Sequence, residues 1–186
     1  MAKTTGTSGT SAFRDNLGDE RHLADGARAA KFERLYRESY PTVFGHVLFR
    51  MRDEEAALDV TAEAFLRAAR NFDRFDSSKA KFSTWVIAIA RNCISDHYRK
   101  NIEHTPIDAI PESALTTGMD HVQSIADADL ARRLLEKLDP DDREMVFMKY
   151  CEERTNADIA HILGMNPSTV ATRVHRALAK MRASTT

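Results

Sequence analysis

The run TNADIAHILGMNPSTVATRVHRA, Thr155–Ala177, decides how this chain folds. Thr155 followed three residues later by Asp158 fits a capping box, in which a hydroxyl and a carboxylate satisfy N–H groups left open at a helix start. Ile159, Ile162 and Leu163 then recur at helical spacing, and Gly164 can take the left-handed conformation that closes a helix. Asn166-Pro167 opens the next helix, because proline is preset for the first helical position. Val170, Val174, Ala177, Leu178 and Met181 give that helix one packed face. Two helices joined by a short turn containing glycine match a helix-turn-helix.

The same pattern extends upstream. Asp139-Pro140 offers an N-cap and a proline at the first helical position, with Asp141 and Asp142 near the positive helix end. Phe32, Leu35 and Tyr36 lead into Val43, Val47 and Leu48. Leu58, Ala62, Phe65, Leu66 and Ala69 form a second stripe, and Phe82, Trp85, Val86, Ile89 and Cys93 a third. Glycine and proline are scarce, at 7 and 5, and no segment alternates apolar and polar residues for long. The fold class is therefore all-α. From Asn101 to about Ala126 the period is lost, and Pro106, Pro111 and Gly118 appear. The expected organisation is a flexible extension over 1–29, a helical domain over 30–100, an acidic linker over 101–126 and a helix-turn-helix domain over 127–183.

Composition narrows the function classes. Of 186 residues, 42% are hydrophobic and 30% charged, enough to bury a core. No stretch approaches the roughly 20 apolar residues that span a bilayer, and Met1–Ser11 lacks the apolar segment of a signal peptide. No membrane insertion is expected. Cys93 and Cys151 make no disulfide framework, which suits a reducing cytoplasm. The net charge of −1 hides opposed blocks. Arg173, Arg176, Lys180 and Arg182 give the last twenty residues +4, with no acid among them. Lys79, Lys81, Arg91, Arg99 and Lys100 against Asp96 give 78–100 another +4. Glu103, Asp108, Glu112, Asp120, Asp127 and Asp129 give 101–129 a charge of −6. Two basic helices separated by an acidic tether place two DNA-compatible surfaces on one chain.

These residues resemble the extracytoplasmic function (ECF) subgroup of bacterial RNA polymerase sigma factors. Asp53–Ala68 (DEEAALDVTAEAFLRA), Phe72-Asp73, Phe82–Asn92 (FSTWVIAIARN) and Asp96–Lys100 (DHYRK) look like the family's region two. Leu138–Glu144, Asp158–Ala160 and Arg173–Ala177 look like region four. The resemblance implies a transcription initiation factor that binds core RNA polymerase, reads minus-ten and minus-thirty-five promoter elements and assists DNA melting. The helix carrying Asp53, Leu58, Asp59, Glu63, Phe65 and Leu66 would dock on polymerase. The segment with Arg91, Asn92, Asp96, Arg99 and Lys100 would meet the minus-ten element. The last helix, with Ser168, Thr169, Thr172, Arg173, His175 and Arg176, would enter the major groove of the minus-thirty-five element. The linker would thread through polymerase, and an anti-sigma factor is a further implied partner. Two positions depart from the family pattern: Ala62 stands where Gln is common, and Ala171 where a basic residue is common.

Ordinary roles compete with these. Phe82, Trp85 and Ile89 share a helix face and read as core. Asn92 and Arg91 follow the apolar run but fall off its stripe, and an Asn side chain can bond a base edge in two directions. On the last helix Lys180 and Arg182 lie late and suit phosphate or solvent. Cys93, His97 and His104 fall short of the four ligands of a structural zinc site, so Cys93 reads as a buried thiol and Cys151 as packing. His46, His121 and His161 have no nearby carboxylate, serine or cysteine with which to build a nucleophile–base pair. No catalytic residue, metal or cofactor is expected. A stand-alone dimeric helix-turn-helix regulator, or a polymerase-binding module that reads no promoter, remains open at the level of the residues alone.

Overall fold

A computed structural model describes the backbone of residues 10–101 and 125–184, and side-chain surroundings for 26–100 and 130–184. The described residues form seven α-helices: α1 (Thr10–Met51), α2 (Glu54–Arg70), α3 (Phe82–Asn101), α4 (Ile125–Glu136), α5 (Pro140–Tyr150), α6 (Asn156–Leu163) and α7 (Pro167–Ala183), with one 3-10 turn at Phe72–Arg74. The all-α class holds. The extension expected over 1–29 is helical from Thr10 onward, on a stretch whose commonest residues include Ala and Arg, both of which favour helix. Residues 1–9 and all but the ends of the expected linker lie outside the described residues.

The chain divides into two compact units, Met1–Glu38 and Ser39–Thr186. In the first, Phe32 and Leu35 are half-buried and Arg37 pairs with Glu33 one turn earlier. In the second, α1 contributes buried Val43, Val47 and Phe49. Arg52 then turns the chain with a φ of 57°, a left-handed conformation usually given to glycine, and its N–H bonds the Leu48 carbonyl at 2.8 Å. Asp53 caps α2 by accepting from the Ala56 N–H at 3.0 Å.

Helices α2 and α3 pack along most of their length. Ala57, Val60, Ala64, Phe65 and Ala68 face Phe82, Val86, Ala90 and Cys93, and the small alanines allow close approach. Phe72, Phe75, Phe82 and Trp85 close the end of this pair as a cluster of rings, Phe75 standing edge-on to Phe82 with centroids 5.2 Å apart. A second core gathers Leu135, Leu138, Val146, Phe147 and Ala177, with Cys151 and Met181 half-buried beside it. Phe49 of α1 joins that core and stacks on Phe147, the rings 3.7 Å apart and 6° from parallel.

The punctuation of the helix-turn-helix follows the reading of its residues. Asp139 accepts from the Asp142 N–H at 3.1 Å to open α5. Thr155 and Asp158 form the reciprocal capping box of α6, and Gly164 closes it at a φ of 64°. Asn166 precedes Pro167 at the start of α7, without a side-chain cap bond. Thr155→Ala removes one acceptor from the α6 start. It is expected to cost about 1 kcal/mol in chemical denaturation, and a change below a few tenths would show that the cap contributes nothing.

Candidate nucleic-acid and polymerase interfaces

On α7, Ser168, Thr169, Thr172, His175 and Arg176 are exposed, opposite buried Val170, Val174 and Ala177. The Thr172 hydroxyl donates back to the Ser168 carbonyl at 3.0 Å, so its methyl and oxygen sit close to the helix surface. Arg173 departs from the expected outward set. Its guanidinium grips the Asp142 carboxylate, with Nε 2.7 Å from Oδ1, and lies 3.6 Å from Asp139. The reason is register: Arg173 sits next to the packed stripe and one turn from it meets the acidic start of α5. Bonds from Asp142, chiefly its backbone N–H, lower the Asp139 pKa, and Arg173 adds to the effect. Arg173 thus braces the recognition helix against α5.

On α3, Asn92, Arg99 and Lys100 are exposed, together with Tyr98. Asp96 is half-buried and accepts from Arg67 at 3.1 Å and from Arg99 at 2.9 Å. Its charge is thereby neutralised on a face otherwise basic. Arg91 points elsewhere: its guanidinium bonds Glu144 of α5. Cys93 is buried, and burial pushes its thiol pKa up.

On α2, Glu54, Leu58, Ala62, Leu66 and Arg70 recur every fourth residue and are all exposed, with Leu58 at 45% and Leu66 at 52%. Ala62 between the two leucines makes the stripe an apolar ridge, flanked by exposed Asp59 and by Glu63, which pairs with Arg67. Asp53 is exposed but spends one oxygen on the helix cap. Phe65 is a correction to the expected docking set. It is 4% exposed, stacked on Tyr40 and tilted against Phe82, because it falls on the stripe of Val60, Ala64 and Ala68 that packs the core.

One cluster escaped the residue reading. His46, wholly buried, lies between two carboxylates distant in sequence: Nε2 is 3.1 Å from Glu144 Oε1 and Nδ1 is 2.8 Å from Glu152 Oε1. Arg50 donates to Glu144 Oε2 at 2.8 Å, beside Arg91. Glu152 also accepts from Arg154, whose Nη1 donates to the Thr84 hydroxyl at 2.9 Å. Thr84 in turn donates to Asp158 at 3.2 Å. Glu153, with a φ of 52°, makes the turn that aims both Glu152 and Arg154 inward. The available signals were a lone His inside the apolar run VFGHVLF and a second α3 period through Thr84, Ile87 and Arg91.

Comparison with known proteins agrees with this geometry. Residues 35–102 match the family model of Sigma-70 region 2, and residues 128–181 that of Sigma-70 region 4. The chain is 34% identical over 140 residues to the ECF RNA polymerase sigma factor SigW of Bacillus subtilis, a match covering 68% of this chain and 73% of that one. The chain belongs to the ECF RNA polymerase sigma factors. It is also 26% identical over 166 residues to the ECF sigma factor BldN of Streptomyces coelicolor, covering 83% of this chain but 60% of BldN. The fold resembles the sigma factor RpoE of Bartonella quintana, solved with the anti-sigma factor NepR, at a TM-score of 0.65 and 18% identity, over 82% of this chain and 95% of that one. In the sigma factor's region two lie the α2 ridge and α3, and in its region four lies α7. No helix among the described residues is long and apolar enough to cross a membrane.

Proposed function

We propose that this sigma factor binds core RNA polymerase through the α2 ridge and directs it to promoters read by α3 and α7. Leu58 and Leu66, with Asp53, Asp59 and Glu63 around them, offer an apolar stripe with an acidic border, suited to a helical partner carrying basic residues. Asn92, Arg99 and Lys100 meet the minus-ten element, with Asn92 hydrogen-bonding an unstacked base on its pairing edge. Ser168, Thr169, Thr172, His175 and Arg176 enter the minus-thirty-five major groove, where residues early on the recognition helix reach base edges. The observation that carries this reading is the presence of both outward polar faces, on α3 and α7, in one chain of sigma-family sequence. The factor works in the cytoplasm, the polymerase supplies the chemistry, and an anti-sigma factor, as in the RpoE–NepR complex, is the expected regulator.

Footprinting tests this against the dimeric regulator. The chain with core polymerase is expected to protect a promoter as a monomer, while the chain alone protects nothing. Symmetric protection of two half-sites by the chain alone would establish the regulator instead. Leu66→Asp is expected to weaken core-polymerase binding roughly tenfold, with stability changed by less than about 0.5 kcal/mol, since the side chain is exposed. Unaltered binding would remove α2 from the interface.

A further inference from the structure

Asn92, Asp96 and Arg99 follow one another at i, i+4 and i+7 on α3, so they share one face of the helix. Asn92 and Arg99 are exposed there, as is Lys100 beside them. Asp96 is the one acid in the sequence from 78 to 100. A DNA strand that meets both Asn92 and Arg99 passes over this carboxylate, which repels phosphate. Asp96 also competes for the guanidinium that DNA would use: Arg99 Nη2 donates to Asp96 Oδ1 at 2.9 Å. On its own α3 therefore carries a basic face with a fault in its centre.

The counter-charge comes from a different helix. Arg67 of α2 is a fork, its Nη1 donating to Asp96 Oδ2 at 3.1 Å and its Nε to Glu63 Oε1 at 2.6 Å. The two oxygens of Asp96 are thus divided between Arg67 and Arg99. Arg67 reaches across because buried Ala64 and Ala68 flank it and let α2 lie close on α3. Its guanidinium is charged at every physiological pH, so the compensation is permanent. Half-exposed ion pairs add little to stability, and the main effect of this chain of charges falls on the potential above α3. Arg67, Asp96, Arg99 and Lys100 together carry +2, whereas without Arg67 they carry +1 and Asp96 has Arg99 to itself.

We propose that Arg67 is a positioning residue of the minus-ten site. It touches no DNA, but it cancels Asp96 and so leaves Arg99 free to grip a phosphate of the melted strand. The proposal rests on the promoter-reading function above. Glu63, at the other end of the fork, belongs to the acidic border of the α2 ridge, so one side chain serves both interfaces. The two roles separate by which carboxylate is neutralised when Arg67 is removed. If Arg67 acts through Asp96, the loss is restored by Asp96→Asn, which returns the α3 face to +2, and is not restored by Glu63→Gln.

Preassembled holoenzyme, made with the full chain, tests this on a fork-junction DNA. The probe joins a minus-thirty-five duplex to a single-stranded non-template minus-ten segment, both taken from a fragment that the wild type transcribes. Affinity is measured across a KCl series. Arg67→Gln is expected to bind roughly fivefold more weakly, the effect of one unit charge a few ångströms away in water. The slope of log affinity against log salt should shrink by about 0.7, one phosphate contact to a single strand. Arg67→Gln/Asp96→Asn is expected to recover both affinity and slope, and Arg67→Gln/Glu63→Gln to recover neither. Should Arg67→Gln lose its helical circular dichroism, Arg67→Met, which keeps the apolar stem, replaces it in the same comparison. Unchanged affinity and slope overturn the proposal, as does a loss that Asp96→Asn fails to restore or that Glu63→Gln restores equally. A wild type that initiates at no promoter overturns the promoter reading and this proposal with it, whereas any of those three results with an active wild type overturns the proposal alone.

Discussion

Arg176→Ala should cut promoter-specific initiation about 10- to 100-fold while leaving the protein as stable as the parent. Arg176 is exposed on α7, one turn beyond Thr172 and opposite the buried Val170–Val174–Ala177 stripe. A guanidinium there can bond a guanine edge in two places or a phosphate in one, and such a contact is worth about 1–3 kcal/mol. Losing an exposed side chain costs the fold little, within about 0.5 kcal/mol. Run-off transcription at limiting sigma factor, with denaturation as a control, measures both. Initiation within twofold of the parent would take Arg176 out of the groove. Arg173→Ala should behave differently, losing the brace to Asp142 and Asp139 and so combining a stability cost with any loss of DNA binding.

Phe147→Ala should destabilise the protein by about 3–5 kcal/mol, the cost of removing a large buried ring and leaving a cavity. Phe147 is packed among Leu135, Leu138, Val146 and Ala177 and stacks on Phe49. Native domains are stable by only about 5–15 kcal/mol, so one ring carries a large share. Differential scanning calorimetry should show Tm falling by roughly 10 °C. A fall below about 2 °C would mean the core collapses around the gap.

Local chemistry made most of the fold legible. Thr155, Asp158, Gly164 and Pro167 each act within a turn of their own position, and the structure places all four as their chemistry dictates. Apolar period located α2 and α7 for the same reason. What could not be read from spacing was which partner a face meets. Phe65 and Leu66 are neighbours in one apolar run, yet only Leu66 is outside, because α3 packs on one side of α2 alone. His46 appeared to lack a carboxylate because Glu144 and Glu152 lie 98 and 106 residues away. Arg91 looked available to DNA because α3 was assigned one buried stripe, and region four gives it a second through Thr84 and Ile87. Long-range pairing of charges leaves no local period, so only the folded chain shows it.

The central claim is that this chain confers promoter specificity on core RNA polymerase. Run-off transcription over a library of genomic promoter fragments tests it directly. Core polymerase with the sigma factor is expected to yield discrete transcripts from a small set of fragments sharing two elements, at the spacing their names imply, and core polymerase alone to yield none. Absence of specific initiation at every fragment, with polymerase active on a nonspecific template, would contradict the account.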